Sequence, residues 1–482
     1  MDLFRRKRVT DLQAEAASDT GLKRALGPFN LVMLGIGAII GTGIFVLTGT
    51  VAAQNAGPAV VISFALAGTA AVFAALCYAE FASVVPVAGS AYTYGYATLG
   101  EFFAWIIGWD LVLEYALAGT TVAIGWSGYV VSFLRDIGLD VPAQLSAARG
   151  TMVTMADGSQ VAAIFNLPAV VIIALVTALL TIGIKESASV NNVIVFIKVA
   201  VIILFIALAV GSIDTANWTP FIPENTGTRE HFGASGVIAG ASVVFFAYIG
   251  FDAVSTAAQE AKNPQRDMPI GIIGSLLICT LLYILVSAIA TGVVPYQELD
   301  VPDPIAKVAD VAGLGWISSL IKLGAIAGLS SVILVQLMGQ SRVFYAMSKD
   351  GLLPPAVNKI HPKFRTPWIT QIVIGVAVMI PAAFLTVTEA AHLVSIGTLL
   401  AFAIVSAGVI VLRIREPNLH RPFKVPFIWF TAPMGVLSSV YLMYFLPLVA
   451  WERLGIWLAL GLAIYFLYGY RHSKLRKDAS AA

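Results

Sequence analysis

A few polar side chains interrupt the long apolar stretches of this 482-residue chain: carboxylates at Asp110, Glu114 and Asp252, ammonium groups at Lys198 and Lys322, and an amide at Gln336. Ionisable groups in such surroundings are costly and mark functional sites by default. Asp110 and Glu114, in Gly108-Trp109-Asp110-Leu111-Val112-Leu113-Glu114-Tyr115, are four apart and share one helix face. Glu114, about one turn deeper, suits a cavity lining or a proton carrier. Asp110 reads either as a structural group bonded to the adjacent loop or as a group facing the substrate. Lys198 lies seven residues past Asn191, roughly 10 Å into its helix at 1.5 Å per residue, too deep for comfortable snorkelling. Its ammonium can stand where a bound cation would, and it can also staple helices through an ion pair; the two roles are compatible. Lys322, six residues into its stretch, reads as a snorkelling lysine without chemistry. Asp252 reads as a helix cap. Gln336 bonds a neighbouring helix or meets a ligand.

Glycine supplies the second kind of signal. Gly35-Ile36-Gly37-Ala38-Ile39-Ile40-Gly41-Thr42-Gly43-Ile44-Phe45 holds four glycines in nine positions, each costing ~1 kcal/mol against alanine in a helix. The run predicts a break near Gly41 to Gly43, or else a small-residue packing face. Phe245-Phe246-Ala247-Tyr248-Ile249-Gly250-Phe251-Asp252 places a glycine and a carboxylate among aromatics in the middle of another apolar run. That run predicts a second break, or merely a kink.

The elements that must position these residues follow from composition. The chain is 59% hydrophobic and 12% charged, against roughly 25% charged for a soluble domain, and between Arg24 and Glu80 lie 55 uncharged residues. This predicts an all-α polytopic membrane protein with twelve spans, near 29–53, 59–83, 100–131, 166–184, 190–211, 234–258, 269–293, 316–341, 367–387, 391–412, 425–449 and 454–470. The first span is too long for a signal peptide and lacks a cleavage pattern. With the N-terminus inside, inner segments hold 22 Lys and Arg and outer loops 5. That bias puts both termini, residues 1–28 and 471–482, in the cytoplasm. Residues 29–211 and 234–412 form two five-span halves, and an odd number of spans inverts the second; 425–470 adds two more. The interrupted spans, one and six, hold matching positions in the halves, which is the sequence pointer to a transport site. Broken helices expose N–H groups around Thr42 and Gly43 for a carboxylate, and carbonyls near Ile39 and from Phe246 to Ile249 for an ammonium. The expected ligand is an amino acid, with Gly41 and Gly250 at the breaks.

The net charge of +2 gives no ground for a nucleic-acid partner. Cys77 and Cys279 sit in apolar stretches with no CxxC, the five histidines form no pair at ligand spacing, and no phosphate-binding P-loop occurs. No disulfide, metal or cofactor is expected, nor direct driving by ATP. The Asn217-Trp218-Thr219 sequon reads as a chance match in an outer loop.

The motifs Gly35 to Phe45, Leu76 to Phe81, Pro86 to Tyr92, Gly108 to Tyr115, Phe245 to Ser255, Asn263 to Pro269, Gly339 to Arg342 through Asp350 to Pro354, and Arg421 to Pro426 together resemble the amino acid, polyamine and organocation transporter superfamily. They look most like bacterial members of its cationic amino acid transporter branch, from about Leu26 to Tyr470. The resemblance implies a leucine-transporter-type fold of two inverted five-helix repeats plus two helices, in the plasma membrane. It implies that Ile39, Thr42 and Gly43, with Phe246, Ala247 and Ile249, hold the amino acid backbone. It implies further that Lys198 replaces a sodium ion, that Glu114 serves proton coupling and that Gln336 tunes side-chain size. Vertebrate members have fourteen spans, so their regulation and substrate range do not carry over.

The expected function is a secondary permease, coupled to protons and working by alternating access. An amino acid exchanger or a non-transporting amino acid receptor are the other readings, the last weakened by the lack of an appended signalling domain. Whether the substrate is cationic or neutral, and whether a small single-span partner helix attends it, is not legible.

Overall fold

The structure, a computed structural model, describes residues 3–12, 25–85, 90–154, 158–183, 188–364 and 366–481. Pro86 to Gly89, the first four residues of one motif, lie outside the described residues.

Every apolar stretch is helical, as it must be where lipid offers backbone N–H and C=O no partner. In chain order the helices are α1 (Pro28–Ile39), α2 (Val60–Val84), α3 (Ser90–Thr98), α4 (Glu101–Asp136), α5 (Leu167–Ile182), α6 (Ala188–Ala209), α7 (Gly233–Val244) and α8 (Phe251–Thr256). They continue as α9 (Pro264–Val293), α10 (Pro304–Val311), α11 (Gly315–Lys349), α12 (Trp368–Phe384), α13 (Val387–Arg415), α14 (Ile428–Tyr444) and α15 (Leu448–Ile464). Local sequence sets the ends. Prolines occupy the first turns of α1, α5, α9 and α10, where a missing N–H costs nothing. Thr386 and Glu389 form a capping box at α13. Gly183 closes α5 in the left-handed conformation.

Among the described residues, eight helical stretches are long and apolar enough to cross a membrane. Four shorter apolar helices, α1, α5, α12 and α14, complete the apolar stretches that the sequence reading counts as twelve spans. Three of the four, α5, α12 and α14, are merely short, at 16 to 17 residues, but α1 is short for a physical reason. The first span is cut after Ile39, and its remainder runs through the tight turn Gly57–Ala59 into α2 as one 42-residue helical stretch. The chain is also not wholly helical: Met152–Thr154 and Gln160–Ala162 pair as an antiparallel hairpin between α4 and α5.

Buried side chains fill the centre around α1, α2, α4, α8, α9, α11 and α13, while Phe196, Leu281, Val373, Leu437 and Ile456 point outward, an inversion that suits a lipid surround. Both tails meet at one end of the bundle. Lys7 Nζ lies 2.6 Å from Asp350, the Lys474 amide donates to the Asp350 carbonyl, and Arg476 bonds Glu101 at 2.8 Å. Two motifs left without a role by sequence also find one here. Glu80 of Leu76 to Phe81 takes Arg413 at 2.6 Å, Arg421 at 3.2 Å and the Val425 amide at 2.8 Å, so it anchors the Arg421 to Pro426 segment.

Lys322 departs from the expectation of a snorkelling lysine. It is buried, with Nζ 2.6 Å from Asp136 at the end of α4 and 3.7 Å from Asp303, the residue preceding α10. An acid at the helix end lets the ammonium be paired without reaching water.

Candidate functional site

α1 ends because the chain turns extended at Ile40, with φ −72° and ψ 99°. It re-enters helix at Gly43–Leu47 in the wider π winding. The break expected near Gly41 to Gly43 thus begins one residue earlier. α7 ends at Val244, passes through the 3₁₀ turn Phe245–Tyr248, and breaks at Ile249 and Gly250 before α8. Gly250 has φ +122°, and a Cβ there would sit 2.8 Å from the main chain of Ala38, so only glycine fits. A Cβ on Gly43 would lie 2.2 Å from that of Ala247. The two breaks therefore touch at two points.

Each break frees main-chain carbonyls, and side chains from other helices reach several of them. Lys198 on α6 donates to the carbonyls of Gly37 at 2.7 Å and Ile40 at 3.0 Å. The staple read for Lys198 is thus made with carbonyls of the first break. The Tyr283 hydroxyl on α9 stands 2.9 Å from the Ile39 carbonyl and 2.8 Å from that of Ala247, sharing one proton between the two breaks. Tyr129 on α4 donates to the Phe45 carbonyl at 2.8 Å, and Thr48 to that of Gly43 at 3.2 Å. Sequence reasoning missed Tyr283 because nothing in its apolar run singles it out.

Between the breaks lies a cavity of about 10 Å³, lined by Ala38, Ile39, Gly41, Thr42, Val122, Phe246, Ile249, Val332 and Gln336. That is space for roughly one water molecule. Six expected site residues, Ile39, Gly41, Thr42, Phe246, Ile249 and Gln336, line it together. Gly43, Ala247, Gly250 and Glu114 do not: the first three lie where one break packs against the other span. Ala38, Val122 and Val332 were missed, although Val332 precedes Gln336 by four residues and Val122 follows Glu114 by eight, spacings that keep them on shared helix faces. The Gln336 carbonyl oxygen is buried without a partner.

Glu114 belongs to a second polar cluster. It interacts electrostatically with Asp110 and Asp252, and none of the four carboxylate oxygens of Asp110 and Glu114 has a hydrogen-bond partner. Asp110 is therefore not bonded to a loop. Asp252 takes the Gly250 amide at 3.2 Å, as a capping role requires, but its second oxygen accepts from Tyr115 on α4 at 2.8 Å. It thus ties α8 to α4 as well as closing the break.

A helical membrane bundle whose two interrupted helices meet around a central cavity defines a solute permease. A profile described as amino acid permease matches residues 26–464, and the chain belongs to that family. It is 49% identical over 476 residues, 98% of this chain and 99% of the relative, to the branched-chain amino acid permease BcaP of Bacillus subtilis (strain 168). It is 48% identical over 475 residues, 98% and 99% of the two chains, to the methylthioribose transporter of the same organism. It is also 40% identical over 419 residues to the vacuolar cationic amino acid transporter 4 of Arabidopsis thaliana, covering 86% of this chain and 68% of the relative.

Proposed function

We propose that this permease carries amino acids with branched apolar side chains into the cell, coupled to protons, by alternating access across the bacterial plasma membrane. One observation carries the choice of side chain: the cavity is walled by Ile39, Val122, Phe246, Ile249 and Val332 and contains no acid. A cationic side chain would need a counter-charge there, and Glu114, the one candidate, is not in the lining. The name of the Bacillus branched-chain relative, matched end to end, supports the same reading.

The substrate carboxylate lies on the amides that open the second half of span one, at Gly41, Thr42 and Gly43, where a helix start leaves N–H groups without partners inside the helix. Its ammonium takes the Ile39 and Ala247 carbonyls beside Tyr283, since each carbonyl has two lone pairs. Phe246 and Ile249 flank the side chain, and Gly250 supplies the bend that lets them do so. The cavity is too small for an amino acid, so loading requires the halves of spans one and six to separate. The architecture is a leucine-transporter-type core, with inverted repeats at 29–211 and 234–412 and two further spans at 425–470. The 22 to 5 excess of Lys and Arg and the meeting of both tails at Asp350 support cytoplasmic termini. Lys198 holds the carbonyls that a sodium ion would otherwise take, so the cycle runs without sodium.

The test is uptake in proteoliposomes under an imposed pH gradient, with a panel of amino acids and with Gln336→Ala beside the parent. Accumulation of leucine, isoleucine and valine with acid outside, indifferent to sodium, is the expected result. Gln336→Ala is expected to shift preference toward larger side chains by roughly tenfold, the scale of one or two methylenes in an apolar pocket. Preferential uptake of arginine or lysine would sink the substrate assignment, and transport only against internal substrate would make the protein an exchanger.

A further inference from the structure

We propose that Asp110 is a second proton-carrying acid of this permease, sharing protons with Glu114 along one face of α4. The inference rests on the coupled transport proposed above and adds the path by which the proton reaches Glu114.

Asp110 and Glu114 are 1% exposed, and all four of their carboxylate oxygens lack a hydrogen-bond partner. The large majority of buried polar groups in folded proteins find a partner, and a bare carboxylate among apolar groups is the least tolerable case. The groups that act on Glu114 are Asp252 of α8 and Asp110, with Thr398 of α13 beside it. Tyr78 of α2, which interacts electrostatically with all three acids, has an unpartnered hydroxyl, as has Tyr94 of α3. On α4 itself Tyr115 already gives its proton to Asp252. These neighbours are acids, phenols and a hydroxyl, so no cation among them balances the charge of the pair. A proton on each acid removes that charge and supplies the missing donor.

Geometry gives the pair a direction. Asp110 is one helical turn nearer than Glu114 to Glu101, where the tails dock. Residues four apart on a helix are neighbours, so the carboxyls can exchange a proton directly or through one water. The carboxyl of Asp110 occupies a place kept open by a glycine: a Cβ on Gly397 of α13 would stand 2.9 Å from its Oδ1. In the transfer, the O–H bond of the Asp110 acid breaks and one forms on the Glu114 carboxylate. The transfer follows loss of the Glu114 proton, and Asp110, left as a carboxylate, takes a new proton from the solution at the Glu101 end; in the reverse direction Glu114 gives its proton to an ionised Asp110, which releases it there, with no other reactant.

The test is infrared spectroscopy of the full chain in lipid, taken through a pH titration, beside pH-driven uptake. The parent is expected to show two protonated-carboxyl components, one lost in Asp110→Asn and the other in Glu114→Gln. Asp110→Asn is expected to lower pH-driven accumulation by the order of 100-fold, the low end for a lost proton-transfer group, and Asp110→Glu to restore part of it. Gly397→Ala, which crowds the Asp110 carboxyl without touching its charge, is expected to move the pH profile of uptake; it decides the matter if Asp110→Asn does not fold. An unchanged infrared spectrum in Asp110→Asn, or an unmoved profile in Gly397→Ala, overturns the proposal. Failure of the parent to respond to a pH gradient would instead sink the coupling reading, leaving the Asp110 component to be decided by the spectrum alone.

Discussion

Lys198 and Glu114 are both ionisable, both about 1% exposed, and both on helices that pack around the broken spans, yet their surroundings are opposite. Lys198 is given two carbonyls within 3.0 Å; Glu114 is given none, and its charged neighbours are other acids. A group bonded to fixed acceptors holds structure together. A group surrounded by acids changes state when its environment does. The difference separates a group that the broken helix holds with its own carbonyls from a carboxyl that no hydrogen bond holds.

Removing the satisfied charge should do the most damage. Lys198→Ala leaves the Gly37 and Ile40 carbonyls buried without a donor, at about 1–3 kcal/mol each, and frees the end of α1 that borders the cavity. Uptake should fall to background and thermal unfolding in detergent should come several degrees earlier, with sodium restoring neither. A Lys198→Ala protein with normal uptake and unfolding temperature would show that the carbonyls are satisfied without it.

The unsatisfied charge should behave the other way. Glu114→Gln preserves shape and removes only the capacity to ionise, so unfolding should shift by less than about 1 kcal/mol, within the range of isosteric changes that break no bond. Concentration of substrate by a pH gradient should be lost. Substrate affinity, read by a scintillation proximity assay, should stay within a few-fold, because Glu114 does not line the cavity. If Glu114→Gln destabilised the protein as much as Lys198→Ala, the contrast between the two groups would collapse.

How far the sequence carried these conclusions differs from residue to residue. The helices were legible because apolar length alone specifies them, and the breaks because interrupted spans fall at matching positions of the two halves, since a glycine by itself serves a packing face equally well. Gly41 and Gly43 looked alike in sequence, yet a Cβ on Gly41 would meet only Val332 and Val122 at 3.7–3.9 Å, while one on Gly43 would collide with Ala247. Only the packing of span one on span six decides which glycine faces the cavity. Tyr283 was invisible because a tyrosine in an apolar run reads as core, and its role depends on two carbonyls 36 and 244 residues away. Lys322 was misjudged because its partner Asp136 lies 186 residues distant, beyond any local pattern.

The smallest effect expected sits at the far end of α4, outside the membrane-spanning segments, where Asp303 offers an intermediate between the two extremes. Its carboxyl accepts from Ser132 at 2.5 Å and lies 3.7 Å from Lys322 Nζ. Burial nevertheless pushes it above the usual aspartate range, against the lowering effects of Ser132 and Lys322. The sign follows from linkage. With α10 docked, Asp303 binds its proton more tightly than it would in water, so docking is fully favoured at low pH and weakens as pH rises through the raised value. The window therefore opens just above the ordinary aspartate value of about 3.9. Hydrogen exchange of residues 300–314 should quicken as external pH climbs through that window, by an amount within about 1 kcal/mol for a partly solvated ion pair. Asp303→Asn, neutral throughout, should flatten the dependence. A slope of the opposite sign would mean that Lys322 and Ser132, rather than burial, govern this carboxyl, and would place Asp303 with Lys198 among the groups whose bonded partners outweigh their burial.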